Sequence, residues 1–141
     1  MIVRKWQPGD TQNLLLQPSQ DYMHAYLDGL NIEPLAETGM AWVGEEDGKI
    51  LAIAGIAPQW ENRAIAWALV SSLAGRNFFA IHRAVESFLD NCPFRRVEAT
   101  VDVGFKPGHR WMKMLGFEVE GYLRAYRPDG ADQVLYARVR E

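Results

Sequence analysis

The sequence predicts one α/β domain, of the α+β kind in its element order, spanning residues 1–141. Its expected centre is a mixed, mostly antiparallel sheet of about six to seven strands with helices on both faces. Three observations predict this. The first half carries hairpin signals between short apolar runs. The second half alternates strand, helix, strand and helix, then closes on two strands. At 141 residues and 48% hydrophobic content, the chain suits one core without help from a disulfide.

The elements follow in order. Ile2 to Trp6 is a short strand, closed by Pro8-Gly9. Asp10 is placed to cap a short helix through Leu16, which Pro18 interrupts. Ser19 is placed to cap a second helix, with Asp21 in its first turn. Met23, Tyr26, Leu27 and Leu30 give that helix an apolar face. Met40 to Gly44 and Ile50 to Ala57 form a hairpin around Glu46-Asp47-Gly48-Lys49. Asn62-Arg63 separates a further strand, Ala64 to Val70, apolar throughout and so predicted to be buried on both faces.

Ser71 to Asn77 is a loop. It leads into a helix, Phe78 to Asn91, whose inner stripe is Phe78, Ile81, His82, Val85, Phe88 and Leu89. Pro93 ends it. Val97, Ala99, Val101 and Val103 alternate with Glu98, Thr100 and Asp102, which predicts a strand. A final helix starts near Pro107, and Gly116 is placed as its left-handed cap. Beyond it, Phe117, Val119, Leu123 and Ala125 mark an inner face. The turn Arg127-Pro128-Asp129-Gly130 leads to a last strand, Asp132 to Arg140, with Leu135, Ala137 and Val139 inward.

Composition narrows the function classes. The formal net charge of −3 gives no reason to expect nucleic-acid binding. The single cysteine, Cys92, excludes an intrachain disulfide and reads as a packing residue at a helix end. The three histidines and one cysteine show no ligand spacing, so no metal is expected. No apolar run reaches transmembrane length and the opening residues are too few for a signal peptide, which predicts a cytoplasmic protein without membrane partners.

Two stretches carry a resemblance. One is the closing run from Met112 to Gly121, with Leu115-Gly116-Phe117 at the helix-to-strand turn. The other is Ser72-Leu73-Ala74-Gly75-Arg76-Asn77, between the central strand and its helix. With the element order along nearly the whole chain, they make the sequence resemble the GNAT family, the Gcn5-related acyl-CoA N-acyltransferases. A narrower resemblance rests on Val103-Gly104-Phe105, Arg110-Trp111, Gly116 and Trp67. It is to small GNAT-like proteins of short-tailed phages, the internal virion protein A group. That adds virion association as a partner option, and the host cytoplasm or the virion as the location.

The family resemblance implies acetyl-CoA as cosubstrate, bound along Leu69 and Val70 and by Ser72, Ala74, Gly75, Arg76 and Asn77. In the family this junction reads Gln/Arg-x-x-Gly-x-Gly/Ala, and its backbone amides hold the coenzyme pyrophosphate. Here Gly75 matches; Ser72 and Asn77 depart, and Arg76 is a candidate phosphate partner. The implied reaction is direct transfer to a small-molecule or protein amine, within a monomer or a homodimer, with a splayed strand polarising the thioester.

The usual proton donor of the family, a tyrosine on the last helix, corresponds to Met112, and Phe105 stands near its usual asparagine. Glu61, His109 and Tyr122 are the remaining candidates for acid–base work, with Tyr126, Trp60 and Trp111 as pocket residues. The bland readings are a solvated carboxylate, a surface histidine and packing aromatics. The departures leave an alternative open: a catalytically inactive virion-associated or protein-binding module on the same fold.

Overall fold

A computed structural model describes residues 1–15 and 40–141. The strands are β1 (Ile2–Lys5), β2 (Ala41–Glu46), β3 (Lys49–Trp60), β4 (Arg63–Val70), β5 (Arg96–Asp102), β6 (Glu118–Leu123) and β7 (Gln133–Val139). They form one seven-stranded sheet in the order β1-β2-β3-β4-β5-β7-β6. β4 pairs with β5 in parallel, whereas β1–β2, β2–β3, β5–β7 and β6–β7 are antiparallel. The sheet is therefore mixed and mostly antiparallel, as predicted. The α-helices among the described residues are α1 (Phe78–Asn91) and α2 (Lys106–Met114).

Contacts group the chain into two compact units, Met1–Ala57 with Trp67–Cys92, and Pro58–Ala66 with Pro93–Glu141. In the first, β2 and β3 are joined by Asp47 and Gly48, both at positive φ (51° and 76°), as a two-residue type I′ hairpin requires. The core here is Trp6, Leu14, Ala41, Val43, Ile50, Ile53 and Leu69, with Trp67 packed against it. A side chain at Gly55 would lie 2.5 Å from the Met40 carbonyl and 2.8 Å from the Trp67 ring, so glycine is required there. α1 buries Ile81, His82 and Leu89, and Phe88 packs on Trp42 at 4.8 Å. Pro93 follows its end, and Cys92 is buried there.

In the second unit β5 is central, paired with β7 from Arg96↔Val139 to Asp102↔Gln133 and with β4 from Arg63↔Arg96 to Ile65↔Glu98. α2 lies against β5 so closely that a side chain at Gly108 would meet Val101 and the Phe105 ring at 2.7 Å. The helix ends in a Schellman motif. Gly116 sits at φ 86°, its amide bonds the Lys113 carbonyl, and the Phe117 amide bonds the Met112 carbonyl at 2.9 Å. Leu115, Phe117, Val97, Val101 and Ala137 are all buried in this unit.

Several expectations are corrected. Asp10 caps no α-helix: Thr11–Asn13 is a 3-10 turn without a side-chain cap. The Asp10 carboxylate instead accepts from Arg4 at 2.9 Å and from the Gln7 amide at 2.6 Å. The Ser19 helix, with Met23 to Leu30, lies outside the described residues. On β6, an edge strand, the register shifts between Val119 and Gly121, which breaks the alternation so that Val119 and Leu123 do not share a face, and Val119 is 59% exposed. Ala125 is in a turn at φ 49°, not on an inner strand face. On β7 the deepest side chain is Tyr136, 2% exposed, while Val139 faces solvent. The buried hydroxyl is tolerated because it has a partner, described below.

β5 also departs from simple alternation. Glu98, expected outside, is 7% exposed. Arg63 bonds it with two guanidinium nitrogens, and Arg96 bonds it at 2.8 Å while holding Glu120 at 2.6 Å. These charge-assisted bonds, Arg63 first, hold the Glu98 carboxyl down at about 2 against burial.

Candidate functional site

The Ser71–Asn77 loop is built on a buried serine. The Ser71 amide donates to the Leu51 carbonyl at 2.8 Å, and its hydroxyl oxygen accepts the Leu73 amide at 3.0 Å. Its carbonyl accepts the Ala74 amide, and the Ala74 carbonyl accepts the Asn77 amide at 2.7 Å. Buried Ala74 anchors the turn. Gly75 opens a 3-10 turn, Gly75–Asn77, that runs directly into α1. Its φ of 37° lies in the left-handed region, and no atom lies within 4 Å of where its Cβ would be. The amides of Gly75 and Arg76 have no hydrogen-bond partner among the described residues. The loop therefore offers two N–H groups without a partner among the described residues at the start of a 14-residue helix.

The other residues predicted here divide. Leu69 and Val70 are buried, so their side chains serve the core. Ser72 is exposed and its amide donates to the Leu15 carbonyl at 2.9 Å. Arg76 is exposed. Asn77 makes no side-chain cap. Its side chain instead bonds Glu46, whose carboxyl is held below its usual range by the Met1 ammonium, then by Asn77.

At the start and along the length of α2, Phe105 packs on Gly108 and Met112 is 9% exposed, a core residue. His109 is half-buried, with both ring nitrogens engaged. Its Nε2 lies 2.8 Å from the Val103 carbonyl and its Nδ1 2.7 Å from the Tyr136 hydroxyl. A carbonyl can only accept, so Nε2 carries the proton and, in the neutral ring, Tyr136 donates to Nδ1. Burial pushes the Tyr136 hydroxyl pKa up. Tyr122 donates to Asp132 at 2.8 Å, and that bond raises its pKa. Glu61 is an exposed residue of the turn between β3 and β4, beside Trp60, whose ring stacks on Arg63 at 4.8 Å. Glu61, His109 and Tyr122 share no hydrogen bond with one another. Tyr126 and Trp60 are exposed, and His82 is buried beside Glu86 at 3.0 Å.

Sequence reasoning missed Ser71, Tyr136 and the burial of Glu98. A serine closing an apolar strand is a signal for the first. The other two are hidden by polar partners distant in sequence. Among the described residues no three His, Cys, Asp or Glu side chains cluster as a metal site, and no helix is long and apolar enough to cross a membrane.

No family model and no curated protein matches the chain. Solved structures do match it. A GNAT-family acetyltransferase from Bacillus cereus superposes with a TM-score of 0.75 at 13% identity, covering 99% of this chain and 97% of that one. A GNAT-family acetyltransferase from Elizabethkingia anophelis with acetyl-CoA bound gives 0.69 at 11% identity, covering 99% and 97%. A phosphinothricin acetyltransferase of the GNAT superfamily from Sinorhizobium meliloti, in complex with acetyl-CoA, gives 0.69 at 14% identity, covering 98% and 87%. The chain thus has the GNAT fold.

Proposed function

We propose that this protein is an acetyl-CoA-dependent N-acetyltransferase acting on a primary amine. The observation that carries the reading is the Gly75 loop on a GNAT fold: open amides, a left-handed glycine and free space where phosphates need close backbone approach. Gly75 and Arg76 amides would take the pyrophosphate, with the Arg76 guanidinium beside it, while Ser72, Ala74 and Asn77 shape the turn. Leu69 and Val70 contribute only backbone.

In the transfer, the amine lone pair attacks the thioester carbonyl. A C–N bond forms and the C–S bond breaks. The nitrogen loses a proton and the departing thiolate gains one, giving amide and coenzyme A. Holding the two reactants together is the main source of acceleration. A small-molecule amine is the preferred acceptor, supported by the similarity to a phosphinothricin acetyltransferase. Proteins presenting amines are the alternative acceptors. Glu61 and Tyr122, both exposed, are the groups left to move protons.

One observation favours a second reading. Met112 is buried where the family places its acid, and His109 has both ring nitrogens engaged. This supports a protein-binding or phage virion-associated module that keeps the fold without turnover, acting as a monomer or a homodimer. Calorimetry with acetyl-CoA, followed by thiol release with a panel of small amines, separates the readings. Micromolar binding with turnover establishes the enzyme. Binding without turnover selects the module, and absence of binding at millimolar acetyl-CoA removes the enzyme reading.

A further inference from the structure

The first unit holds a cleft that neither its core nor the proposed acetyl-CoA contacts use. Its volume is about 330 Å³, at the small end of the roughly 300–1,000 Å³ typical of ligand sites. Part of its lining is ionic. The Arg4 guanidinium donates to both Asp10 oxygens at 2.9 Å, to the Lys5 carbonyl at 3.1 Å and to Glu45 at 3.3 Å. Its remaining nitrogen, Nε, lies 3.3 Å from Glu45, so this arginine holds no free donor for an anion. Asp10 is buried and also accepts the Gln7 amide at 2.6 Å. Glu45 is the loose member: among the described residues its carboxylate meets only Arg4. Its side chain stays 26% exposed, which leaves lone pairs for a further donor.

The rest of the lining is apolar or uncommitted. Ile50 lies across the β2–β3 pair from Glu45 and is buried, whereas Leu15 and Leu73 are 54% and 48% exposed. The Ser72 amide, bonded to the Leu15 carbonyl at 2.9 Å, ties the segments of these two leucines together. Lys49 and Asn13 are exposed, and their side chains have no polar partner among the described residues.

The formal charges cancel: Arg4 and Lys49 offset Asp10 and Glu45. A bare anion and a bare cation are therefore equally poor fits, and a zwitterion is a good one. We infer that the cleft binds a free aliphatic α-amino acid. Its ammonium donates to Glu45, its carboxylate accepts from Lys49 and Asn13, and its hydrocarbon side chain covers the exposed leucines. Each polar group of such a ligand then finds a partner of opposite character, as desolvation in a cleft demands. The site shares no residue with the acetyl-CoA contacts proposed above and does not depend on that reading.

The test is calorimetry on the intact chain with L-leucine as probe. L-leucine should bind with a dissociation constant below about 1 mM. Three analogues each lack one feature: 4-methylpentanoate the ammonium, L-leucinamide the carboxylate, and glycine the hydrocarbon. Each should bind at least about tenfold more weakly. Lys49→Gln should weaken L-leucine by about tenfold and leave L-leucinamide unchanged, because only the carboxylate contact is lost. Lys49 is exposed, so the melting temperature of that variant should hold. Absence of binding up to about 10 mM L-leucine overturns the inference. So does equal affinity for 4-methylpentanoate, or a Lys49→Gln variant that binds L-leucine like the wild type, which would put the amino acid elsewhere.

Discussion

Two strand-to-helix junctions in this molecule look alike in sequence and differ in what they leave unpaired. β4 passes into α1 through Ser71–Asn77, and β5 passes into α2 through Val103, Gly104 and Phe105. Each has a glycine just ahead of a helix. At the first, the consecutive Gly75 and Arg76 amides have no partner among the described residues. At the second, the amides of the helix start are used, and only that of Gly104, ahead of the helix, has no partner among the described residues. Phe105 and Lys106 amides donate to the Asp102 and Gly104 carbonyls, the Val103 carbonyl accepts from His109 Nε2, and Pro107 has no amide to offer. A helix start binds anions only when its N–H groups are unsatisfied. The same unit as the Gly75 loop also holds a buried donor, Trp67 Nε1, without a partner among the described residues. The Tyr136 hydroxyl, deep in the other unit, is paired.

The widest gap between the junctions should appear on placing a carboxylate at each. Gly75→Asp should weaken acetyl-CoA by at least about a hundredfold, near 3 kcal/mol, by setting a negative charge where phosphates are proposed to lie. Gly104→Asp, equally unobstructed by neighbours, should stay within about threefold because no phosphate is proposed to lie there. Titration calorimetry of the two variants reads this directly. Equal losses would break the comparison and move the anion site.

Next in size is the polar network of the second unit. The Glu98 carboxyl is held at about 2 in the folded state, against 4.5 for the ordinary carboxyl. Its contribution is fully present above the ordinary value and fades as pH falls toward 2. Urea unfolding of the wild type should lose a few kcal/mol between about pH 5 and pH 2 from this group, on the order of its shift. Glu98→Gln should flatten that slope and cost about 2 kcal/mol at neutral pH, since Arg63 and Arg96 lose a charged partner. A variant with an unchanged pH slope would show that the network is not what anchors β5.

These sites also mark what the sequence could disclose. Strand and helix periodicity depends on near neighbours, so β2 to β5, α1 and the Gly116 cap were legible. Gly75 was legible as well, because a glycine at a strand-to-helix turn is a local signal. The face of β6 was not, since the bulge at Glu120 arises from its pairing with β7, which the alternation of β6 itself does not record. Nor was Glu98 inside, for its burial depends on Arg63, distant in sequence. His109 looked like either a base or a surface residue. Its actual state depends on Tyr136, 27 residues away.

Packing at α2 should yield a comparable but purely steric effect. Gly108→Ala drives a methyl into Val101 and Phe105 at 2.7 Å, and should cost about 2 kcal/mol in a denaturant melt. Because α2 carries no proposed anion site, acetyl-CoA affinity of the folded variant should hold. A loss of binding with intact stability would bring α2 back into the site.

The smallest effect tests whether His109 is structural. Tyr136→Phe removes one oxygen and leaves the ring in place, 2% exposed, so packing changes little. Nδ1 of His109 then faces no donor, while Nε2 still donates to the Val103 carbonyl. An unpaired, part-buried nitrogen costs about 1 kcal/mol, and a water able to reach it would reduce that. If His109 only ties α2 to β7, stability falls by that amount while the pH profile of thiol release keeps its midpoints. If His109 moves protons in the transfer, removing its partner must shift one limb of that profile. A shifted limb would make the second junction part of the chemistry and end the contrast between the two.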